Sequence, residues 1–175
     1  VAAECINSCK AGATIWVSNP TWANHTGVFE AAGLNVKTYP YYDYENKTLD
    51  FDGMLAALKE VKADDTVLLH ACCHNPSGMD LDEDAYGLRL MAETVKEMIV
   101  CSSCSKNFGL YRERIGACTI IGETSHSADI ANSVLLSVIR CIYSMPPAHG
   151  AALVETILHS DELRVQWHSE LKEMR

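Results

Sequence analysis

Residues 66–72 have the sequence TVLLHAC, a nearly continuous apolar run. A run of this kind is typical of a central parallel strand that is covered on both faces. It leads directly into residues 73–78, CHNPSG, where Asn-Pro followed by Gly is a turn signal. The segment therefore predicts a buried strand that ends in a tight turn with polar side chains.

Strands and helices alternate on both sides of this segment. The hydrophobic periods, caps and breakers predict strands at residues 14–18, 34–42, 98–102 and 114–121, and helices at residues 24–32, 51–61, 82–98 and from 129 onward. Residues 43–50 predict a polar loop, two prolines break the helical pattern within residues 144–147, and residues 150–175 predict one long charged helix. The alternation predicts an α/β fold of layers around a mostly parallel sheet, with functional loops at the carboxyl ends of its strands.

The composition is that of a folded protein with one domain. The 175 residues are 48% hydrophobic and 21% charged, and the formal net charge is −9. This negative charge argues against binding to nucleic acid or to an anionic membrane surface. No stretch approaches the ~20 apolar residues of a membrane span, and residues 1–9 lack the order of a signal peptide. We therefore expect a soluble cytoplasmic protein, or a mitochondrial one if a targeting segment precedes Val1.

Eight cysteines are the unusual feature of the composition. Residues 101–104, CSSC, have the spacing of a zinc or redox site, and residues 72–74, CCH, could add soft ligands. Cysteines in or beside apolar strands are more often buried small hydrophobic residues. That explanation applies to the cysteines of predicted strands or their ends, which are Cys72, Cys73, Cys101 and Cys118. We expect free thiols and no metal site.

Residues 103–116 carry a pattern around one lysine. A lysine in a loop is usually a solvated surface charge, but here Ser-x-Ser-Lys-x-x-Gly-x-x-x-x-Arg-x-Gly resembles the cofactor-lysine signature of the fold-type I aminotransferases. The resemblance implies that Lys106 forms a Schiff base with pyridoxal 5'-phosphate. It also implies that Ser103, Ser105 and Arg114 bind the phosphate, for which hydroxyls and a forked guanidinium are suited.

Two upstream segments resemble the same family. The turn at residues 73–78 is similar to the family's His-Asn-Pro-Thr-Gly turn, which implies that Asn75 hydrogen-bonds the phenolic oxygen of the cofactor. Residues 17–25, VSNPTWANH, resemble the loop whose tryptophan stacks on the pyridine ring. A lone tryptophan near a turn more often packs in a core, but stacking is the functional alternative. By the resemblance, Trp22 stacks on the ring and lines the substrate site with Asn75, and His25 hydrogen-bonds groups near the ring nitrogen.

Residues 138–150, VIRCIYSMPPAHG, resemble a segment of aspartate aminotransferases that reaches into the neighbouring subunit. A helix-end arginine commonly satisfies terminal carbonyls. The resemblance instead implies that Arg140 binds the substrate's side-chain carboxylate as a bidentate fork, with Ser144 supporting the same site. A homodimer follows from that role.

The resemblance covers essentially the whole chain and implies ping-pong transamination, in which L-aspartate and 2-oxoglutarate give oxaloacetate and L-glutamate, with Lys106 also acting as proton carrier. An aromatic aminotransferase shares most of these motifs. Two further hypotheses are a non-catalytic form of the fold and, least favoured, a metal-binding module built on the cysteines.

The resemblance also implies the domain organisation. Residues 1–175 would be the central part of the cofactor-binding large domain, with residues 150–175 starting a long helix toward a small domain.

Several parts of the family pattern are missing. An aspartate that pairs with the pyridinium nitrogen should lie between Asn75 and Lys106, which are only 31 positions apart. The family would place roughly thirty more residues there, another strand and helix of the layered sheet. We expect a break near Asp80 and Leu81, between Met79 and Asp82. The alternative is a genuine deletion, which would remove the charge that makes the ring an electron sink. The amino-terminal glycine-rich turn and the small domain with the arginine for the α-carboxylate are also expected to lie outside these residues.

Overall fold

The computed structural model of the chain describes residues 1–79 and 86–174, and helices and strands alternate along both ranges. The helices are α1 (Ala2–Cys9), α2 (Asn24–Ala31), α3 (Phe51–Leu58), α4 (Tyr86–Thr94), α5 (Ser125–Ile142), α6 (His149–His159) and α7 (Asp161–Glu173). The strands are β1 (Thr14–Asn19), β2 (Asn35–Pro40), β3 (Tyr42–Asp43), β4 (Thr48–Leu49), β5 (Thr66–Val67), β6 (Met98–Ser103) and β7 (Gly116–Ile121). The predicted α/β class is confirmed.

The parallel sheet has the order β2-β1-β5, so β1 is its central strand. Alternate residues of β1 point to opposite faces of a sheet. Ile15 and Val17 pack with α1 and α2 on one face, in a cluster that includes Phe29. Trp16 packs on the other face, in a cluster that includes Met54 of α3. The sheet is thus covered by helices on both faces, as predicted.

The predicted strand at residues 66–72 is shorter than expected. Only Thr66 and Val67 form β5, although Leu68 still donates its N–H to the Trp16 carbonyl at 2.8 Å. Beyond that point, Tyr39 donates its hydroxyl to the Leu68 carbonyl at 2.7 Å, so this carbonyl is bonded by a side chain and not by a neighbouring strand. An apolar run shows that a segment is suited to burial, but it does not show how many of its residues find a pairing partner.

The second sheet also departs from expectation. β6 pairs with β7 in antiparallel register, with Cys101 opposite Cys118, where a buried strand of a parallel sheet was predicted. Because this sheet has two described strands, much of it faces solvent, and residues 101–103 are exposed. The prediction that four strand-associated cysteines are buried is therefore wrong: Cys72, Cys73, Cys101 and Cys118 are all exposed. The buried thiol is that of Cys5, which sequence analysis left unassigned.

Residues 150–175 do not form one long helix. The chain leaves the helical conformation at Ser160, whose φ of −96° and ψ of 119° are extended. Ser160 then caps α7, because its hydroxyl accepts a hydrogen bond from the Leu163 N–H at 3.3 Å. Asp161 and Glu162 occupy the first turn of the new helix, where acidic side chains favour the helix dipole.

Residues 43–50 were predicted as a polar loop, but they contain a small hairpin in which β3 pairs with β4. The Asp43 carboxylate closes it by accepting hydrogen bonds from the N–H groups of Glu45 and Asn46 at 2.8 and 3.1 Å. Asp and Asn commonly form such turns with their own backbone. The hairpin places β4 directly before α3, whose first turn is capped by Asp50.

The helix predicted at residues 82–98 is described from Tyr86 and ends at Thr94. Its expected first turn and the expected break between Met79 and Asp82 fall on residues 80–85, outside the described residues. Among the helices of the two described ranges, none has the length and apolarity needed to cross a membrane.

Candidate functional site

Two of the predicted site segments meet at one edge of the parallel sheet. The loop after β1 carries Trp22, the first turn of α2 carries His25, and the turn after β5 carries Asn75. β1 and β5 are parallel neighbours, so the segments that follow them leave the sheet at the same edge. The contact is direct, because the Ser18 hydroxyl and His74 Nε2 form a hydrogen bond of 2.9 Å.

Aromatic rings form a continuous row along this edge. The rings of Trp22 and His25 meet edge to face, with centroids 5.2 Å apart. The row continues from His25 to His70 at 5.3 Å and from His70 to His74 at 4.6 Å. Tyr41 ends it, stacked on His74 at 3.9 Å. We call these five side chains the site-edge row. It is exposed at its Trp22 end and buried at the end formed by His74 and Tyr41, so a flat surface is accessible to a ligand at Trp22.

Trp22 and His25 have different environments within the row. Trp22 is 41% exposed, so it is not the core residue that a lone tryptophan near a turn suggests. His25 is half-buried, and its Nδ1 lies 2.8 Å from the Thr21 hydroxyl. Partial burial, with a smaller contribution from His70, lowers the pKa of His25 below its ordinary value. Near neutral pH, His25 is therefore a neutral hydrogen-bonding group.

Asn75 is held through its backbone, which leaves its side chain exposed. Its N–H donates a hydrogen bond to His70 Nδ1 at 3.1 Å. Because that nitrogen accepts, a neutral His70 carries its proton on Nε2. His70 thus connects the row to the turn that presents the Asn75 amide.

The Lys106 loop, residues 104–115, connects β6 to β7 and is organised around Tyr111. The Lys106 ammonium lies over the Tyr111 ring, 4.5 Å from its centroid, in a cation–π contact. Arg114 adopts a positive φ of 52° and donates from one guanidinium nitrogen to the Tyr111 carbonyl at 3.1 Å. Before the lysine, Ser103 accepts a hydrogen bond from the Ser105 N–H at 3.2 Å. Residues 103–114 therefore carry an amine, a guanidinium and two hydroxyls, and the amine and the guanidinium both contact Tyr111.

The Lys106 loop is supported by the carboxyl-terminal helices. Trp167 of α7 donates its indole N–H to the Asn107 carbonyl at 2.9 Å, and its ring stacks on Phe108. His149 at the start of α6 pairs with Glu113 at 3.2 Å. A surface cleft of about 300 Å³ lies against residues 109–113. Nothing in the spacing of the sequence suggested Trp167, since it lies 60 positions after Asn107, the loop residue to which it donates.

Arg140 and Ser144 contact each other, as their predicted shared role requires. Arg140 is in the last turn of α5 and donates to the Ser144 hydroxyl at 2.9 Å. Ser144 adopts a positive φ of 63° just after the helix ends. Both side chains are exposed, so the guanidinium is accessible from solvent.

The predicted site residues form three groups in the structure: the site-edge row with Asn75, the Lys106 loop with Arg114, and the Arg140–Ser144 pair. Four residues that organise these groups were not predicted from the sequence, namely Ser18, His70, His74 and Tyr111. A histidine at the end of an apolar strand and a histidine directly before Asn75 were signals that could have identified two of them, because side chains at strand ends face the site edge.

The cysteines have no metal-binding arrangement in the described part of the chain, where no three side chains of His, Cys, Asp or Glu are placed to hold an ion. Cys101 and Cys118 face each other across β6 and β7. Residue 101 is exposed as a whole, but desolvation of its thiol, together with the facing Cys118, raises the pKa of Cys101 to about 11. Cys101 is therefore a protonated thiol at neutral pH, and not an activated nucleophile.

Comparisons with known proteins match this chain to one family. The sequence model for "Aminotransferase class I and II" matches residues 1–88 and 82–175. Aspartate aminotransferase of Escherichia coli K12 is 46% identical over 207 residues, covering 100% of this chain and 52% of that protein. The aromatic-amino-acid aminotransferase of Pseudomonas aeruginosa is 40% identical over the same length, with the same coverage of each chain. The present chain therefore spans about half the length of these relatives.

A solved structure confirms the fold. The crystal structure of the aromatic-amino-acid aminotransferase from Burkholderia pseudomallei, covalently bound to pyridoxal phosphate, matches with a TM-score of 0.95 at 38% identity. The match covers 99% of this chain and 51% of that one.

The comparisons also locate the missing internal part of the pattern. The E. coli alignment runs over 207 positions against 175 residues, which leaves 32 without a counterpart here. The two matches to the family model overlap at residues 82–88, next to the expected break between Met79 and Asp82. By its sequence and its fold, the chain belongs to the aminotransferase class I and II family.

Proposed function

We propose that the protein is a pyridoxal-phosphate-dependent aminotransferase that transfers the amino group between L-aspartate and 2-oxoglutarate, giving oxaloacetate and L-glutamate. The observation that supports this most directly is the Lys106 loop. It brings a lysine amine and the Arg114 guanidinium into contact with the same residue, with the amine over the Tyr111 ring and the guanidinium on its carbonyl.

The chemistry of the described residues fits the cofactor. Pyridoxal phosphate has an aldehyde, which needs an amine, and a dianionic phosphate, which needs cationic or hydroxyl donors. Lys106 is exposed and takes part in none of the ion pairs within residues 1–79 and 86–174, so its amine is not held by a carboxylate there. Arg114, Ser103 and Ser105 are the donors for the phosphate. Trp22, 41% exposed, offers an indole face to the pyridine ring.

When bound, the cofactor supplies an electron sink for the bond to the substrate's Cα. In this proposal the protein side chains transfer the proton and hold the cofactor in place. The Lys106 amine carries the proton to and from Cα, Asn75 hydrogen-bonds the phenolic oxygen, and Trp22 fixes the plane of the ring. His25, neutral near pH 7 because its pKa is lowered, orients groups near the ring nitrogen without adding charge.

Substrate choice is assigned to Arg140, with Ser144 as the hydroxyl that holds its guanidinium. A bidentate guanidinium suits the side-chain carboxylate of aspartate or glutamate. In this proposal Arg140 serves the active site of the neighbouring subunit in a homodimer, and residues 1–175 are the central part of the cofactor-binding large domain.

Lys106→Ala in the full-length protein tests the chemistry. We expect the wild-type protein to show the visible absorbance band of bound pyridoxal phosphate and to transaminate aspartate, and Lys106→Ala to lose both. Lys59→Ala is the matched control, a lysine at the end of α3 and away from the site, and it should keep both. Absence of the band and of transamination in the wild-type protein would favour a non-catalytic form of the fold.

A second candidate function is aromatic aminotransfer, which the 40% identical P. aeruginosa relative and the B. pseudomallei structure favour by their names. Initial rates with aspartate and with tyrosine as amino donors separate the two. A higher kcat/KM for aspartate, reduced about a hundredfold in Arg140→Leu, is expected if a charge-assisted pair worth about 3 kcal/mol selects the substrate. A preference for tyrosine that survives Arg140→Leu would replace the first proposal with the second.

A further inference from the structure

We infer that His74 is a positioning residue: it locks the loop after β1 to the turn after β5 and thereby sets where Trp22 and Asn75 stand relative to each other. Its effect on the cofactor rests on the function proposed above. We call the two hydrogen bonds of His74, to Ser18 and to Ser77, the lock. The lock is a property of the fold and is tested separately.

His74 is bonded on both ring nitrogens by residues of different segments. Its Nε2 lies 2.9 Å from the Ser18 hydroxyl at the end of β1, and its Nδ1 lies 2.7 Å from the Ser77 hydroxyl in its own turn. His74 is 2% exposed and Ser18 is 3% exposed, so water does not compete for the bond that joins the two segments. Hydroxyls both donate and accept, which lets the two serines satisfy either neutral tautomer of the ring.

Tyr41 also contacts the turn that carries His74. The Tyr41 ring stacks on His74 with an interplanar angle of 17°, and the Tyr41 hydroxyl donates to the Met79 carbonyl at 2.6 Å. The Ser77 hydroxyl accepts a further hydrogen bond from the Met79 N–H at 3.2 Å. The imidazole therefore bonds to both the Ser18 end of β1 and the Ser77 turn. Tyr41 joins the same two segments, since its N–H donates to the Asn19 carbonyl at 3.2 Å and its hydroxyl donates to Met79.

The bonded residues adjoin the side chains proposed to touch the cofactor. Ser18 is four residues before Trp22, and His74 directly precedes Asn75. If Trp22 fixes the ring plane while Asn75 bonds the phenolic oxygen, their separation has to match one rigid ligand, and small displacements of such groups reduce binding and rate. A buried histidine bonded to both segments would hold that separation before the ligand arrives.

Three substitutions at His74 separate its two bonds. Asn places its amide nitrogen near the position of Nδ1, so His74→Asn keeps the bond to Ser77 and loses the one to Ser18. Gln reaches the position of Nε2, so His74→Gln keeps the Ser18 bond. His74→Phe keeps a flat ring but loses both. The matched control is His126→Phe, at an exposed position on α5.

The first readout is amide hydrogen exchange in residues 18–25 and 74–79 of the cofactor-free, full-length protein. We expect His74→Phe and His74→Asn to raise exchange about tenfold in both segments together, and His74→Gln to raise it less in residues 18–25. Ser18→Ala should loosen the His74 turn as well as its own loop. Faster exchange confined to residues 74–79 in His74→Phe and His74→Asn, or Ser18→Ala changes confined to residues 18–25, would overturn the lock.

The second readout is the Kd of pyridoxal phosphate, with KM and kcat measured beside it. We expect a roughly tenfold weaker Kd in His74→Asn, a smaller change in His74→Gln and none in His126→Phe. An unchanged Kd in a His74→Asn protein with both segments loosened would overturn the positioning role but leave the proposed function intact. A wild-type protein that binds no pyridoxal phosphate would overturn the proposed function, while the exchange experiment would still decide on the lock.

Discussion

The indole N–H of Trp167 donates to the carbonyl of Asn107 at 2.9 Å, across 60 positions of sequence. The same indole stacks on Phe108 with centroids 4.5 Å apart and an interplanar angle of 11°. Asn107 and Phe108 directly follow Lys106, so the helix that carries Trp167 braces the loop that carries the proposed catalytic amine.

Two substitutions of Trp167 should weaken its contacts with the Lys106 loop by different amounts. Trp167→Phe keeps an aromatic ring but removes the donor, and we expect it to lower the free energy of unfolding by about 1 kcal/mol. Trp167→Ala removes the stacking as well and should cost about 1 kcal/mol more. Urea unfolding measures both, and hydrogen exchange in residues 104–110 should rise in the same order. Equal exchange in wild type and Trp167→Ala would show that the loop is ordered without α7.

Gly150 is needed for close packing of α6 on the Lys106 loop. A Cβ at this position would lie 2.9 Å from Glu113 Cβ, closer than real Cβ atoms approach. We expect Gly150→Ala to lower stability by about 1 kcal/mol, because overpacking costs about 1–3 kcal/mol and alanine in a helix returns about 1 kcal/mol. Gly27→Ala in α2, with nothing within 4 Å of the added carbon, is the matched control and should gain up to about 1 kcal/mol. Similar gains for both variants in urea unfolding would contradict the contact with Glu113.

His25 should make the protein less stable in mild acid. Its pKa is lowered from an ordinary value of 6.5 in the folded chain, so below that pH the unfolded chain takes up a proton before the folded chain does. Stability is therefore complete above about pH 6.5 and falls as the pH drops toward the folded pKa. His25→Asn should lose less stability than wild type between about pH 7.5 and 5.5, as measured by urea unfolding. His126→Asn, at an exposed position, is the control, and an identical pH slope in His25→Asn and wild type would refute the assignment.

Mixing two inactive variants tests whether Arg140 serves the neighbouring subunit. Lys106→Ala and Arg140→Leu should each be poorly active on aspartate alone. If Arg140 acts across the interface, a mixed dimer has one site with both native residues, and an equal mixture of exchanged subunits should recover about a quarter of wild-type activity. If Arg140 serves its own subunit, both sites of a mixed dimer lack one residue and no activity returns. Lys106→Ala mixed with Lys106→Ala/Arg140→Leu is the matched control that should stay inactive in either case.

Local signals predicted much of the fold correctly. The strand at residues 14–18 was predicted from its β-prone run and the Asn19-Pro20 stop, and β1 ends at Asn19. The helix that follows was predicted at residues 24–32, and Gly33, directly after it, adopts a φ of +83° that favours glycine. These features depend on neighbours within a few residues, so the sequence pattern contains them.

Features that depend on distant partners were missed. Residues 98–103 are apolar at their start, but whether they pair in parallel or antiparallel register is decided by Gly116–Ile121 and not by their own pattern. The hydrogen bond between Ser18 and His74 joins residues 56 positions apart, and no pattern within either segment predicts it. Ser160 is a different case: a serine followed by two acidic residues is a helix-start signal, and it was overlooked because the amphipathic pattern continues through it.

The bend at Ser160 has a consequence for how the molecule opens. A straight helix from His149 would carry position 167 about 27 Å along its axis, whereas the bend lets Trp167 return to Asn107. α7 has no fully buried side chain, and segments with few buried contacts open more readily than a core. We therefore expect α7 to open more often than the core around β1, and protease cleavage within α7 should track the mobility of the proposed catalytic lysine.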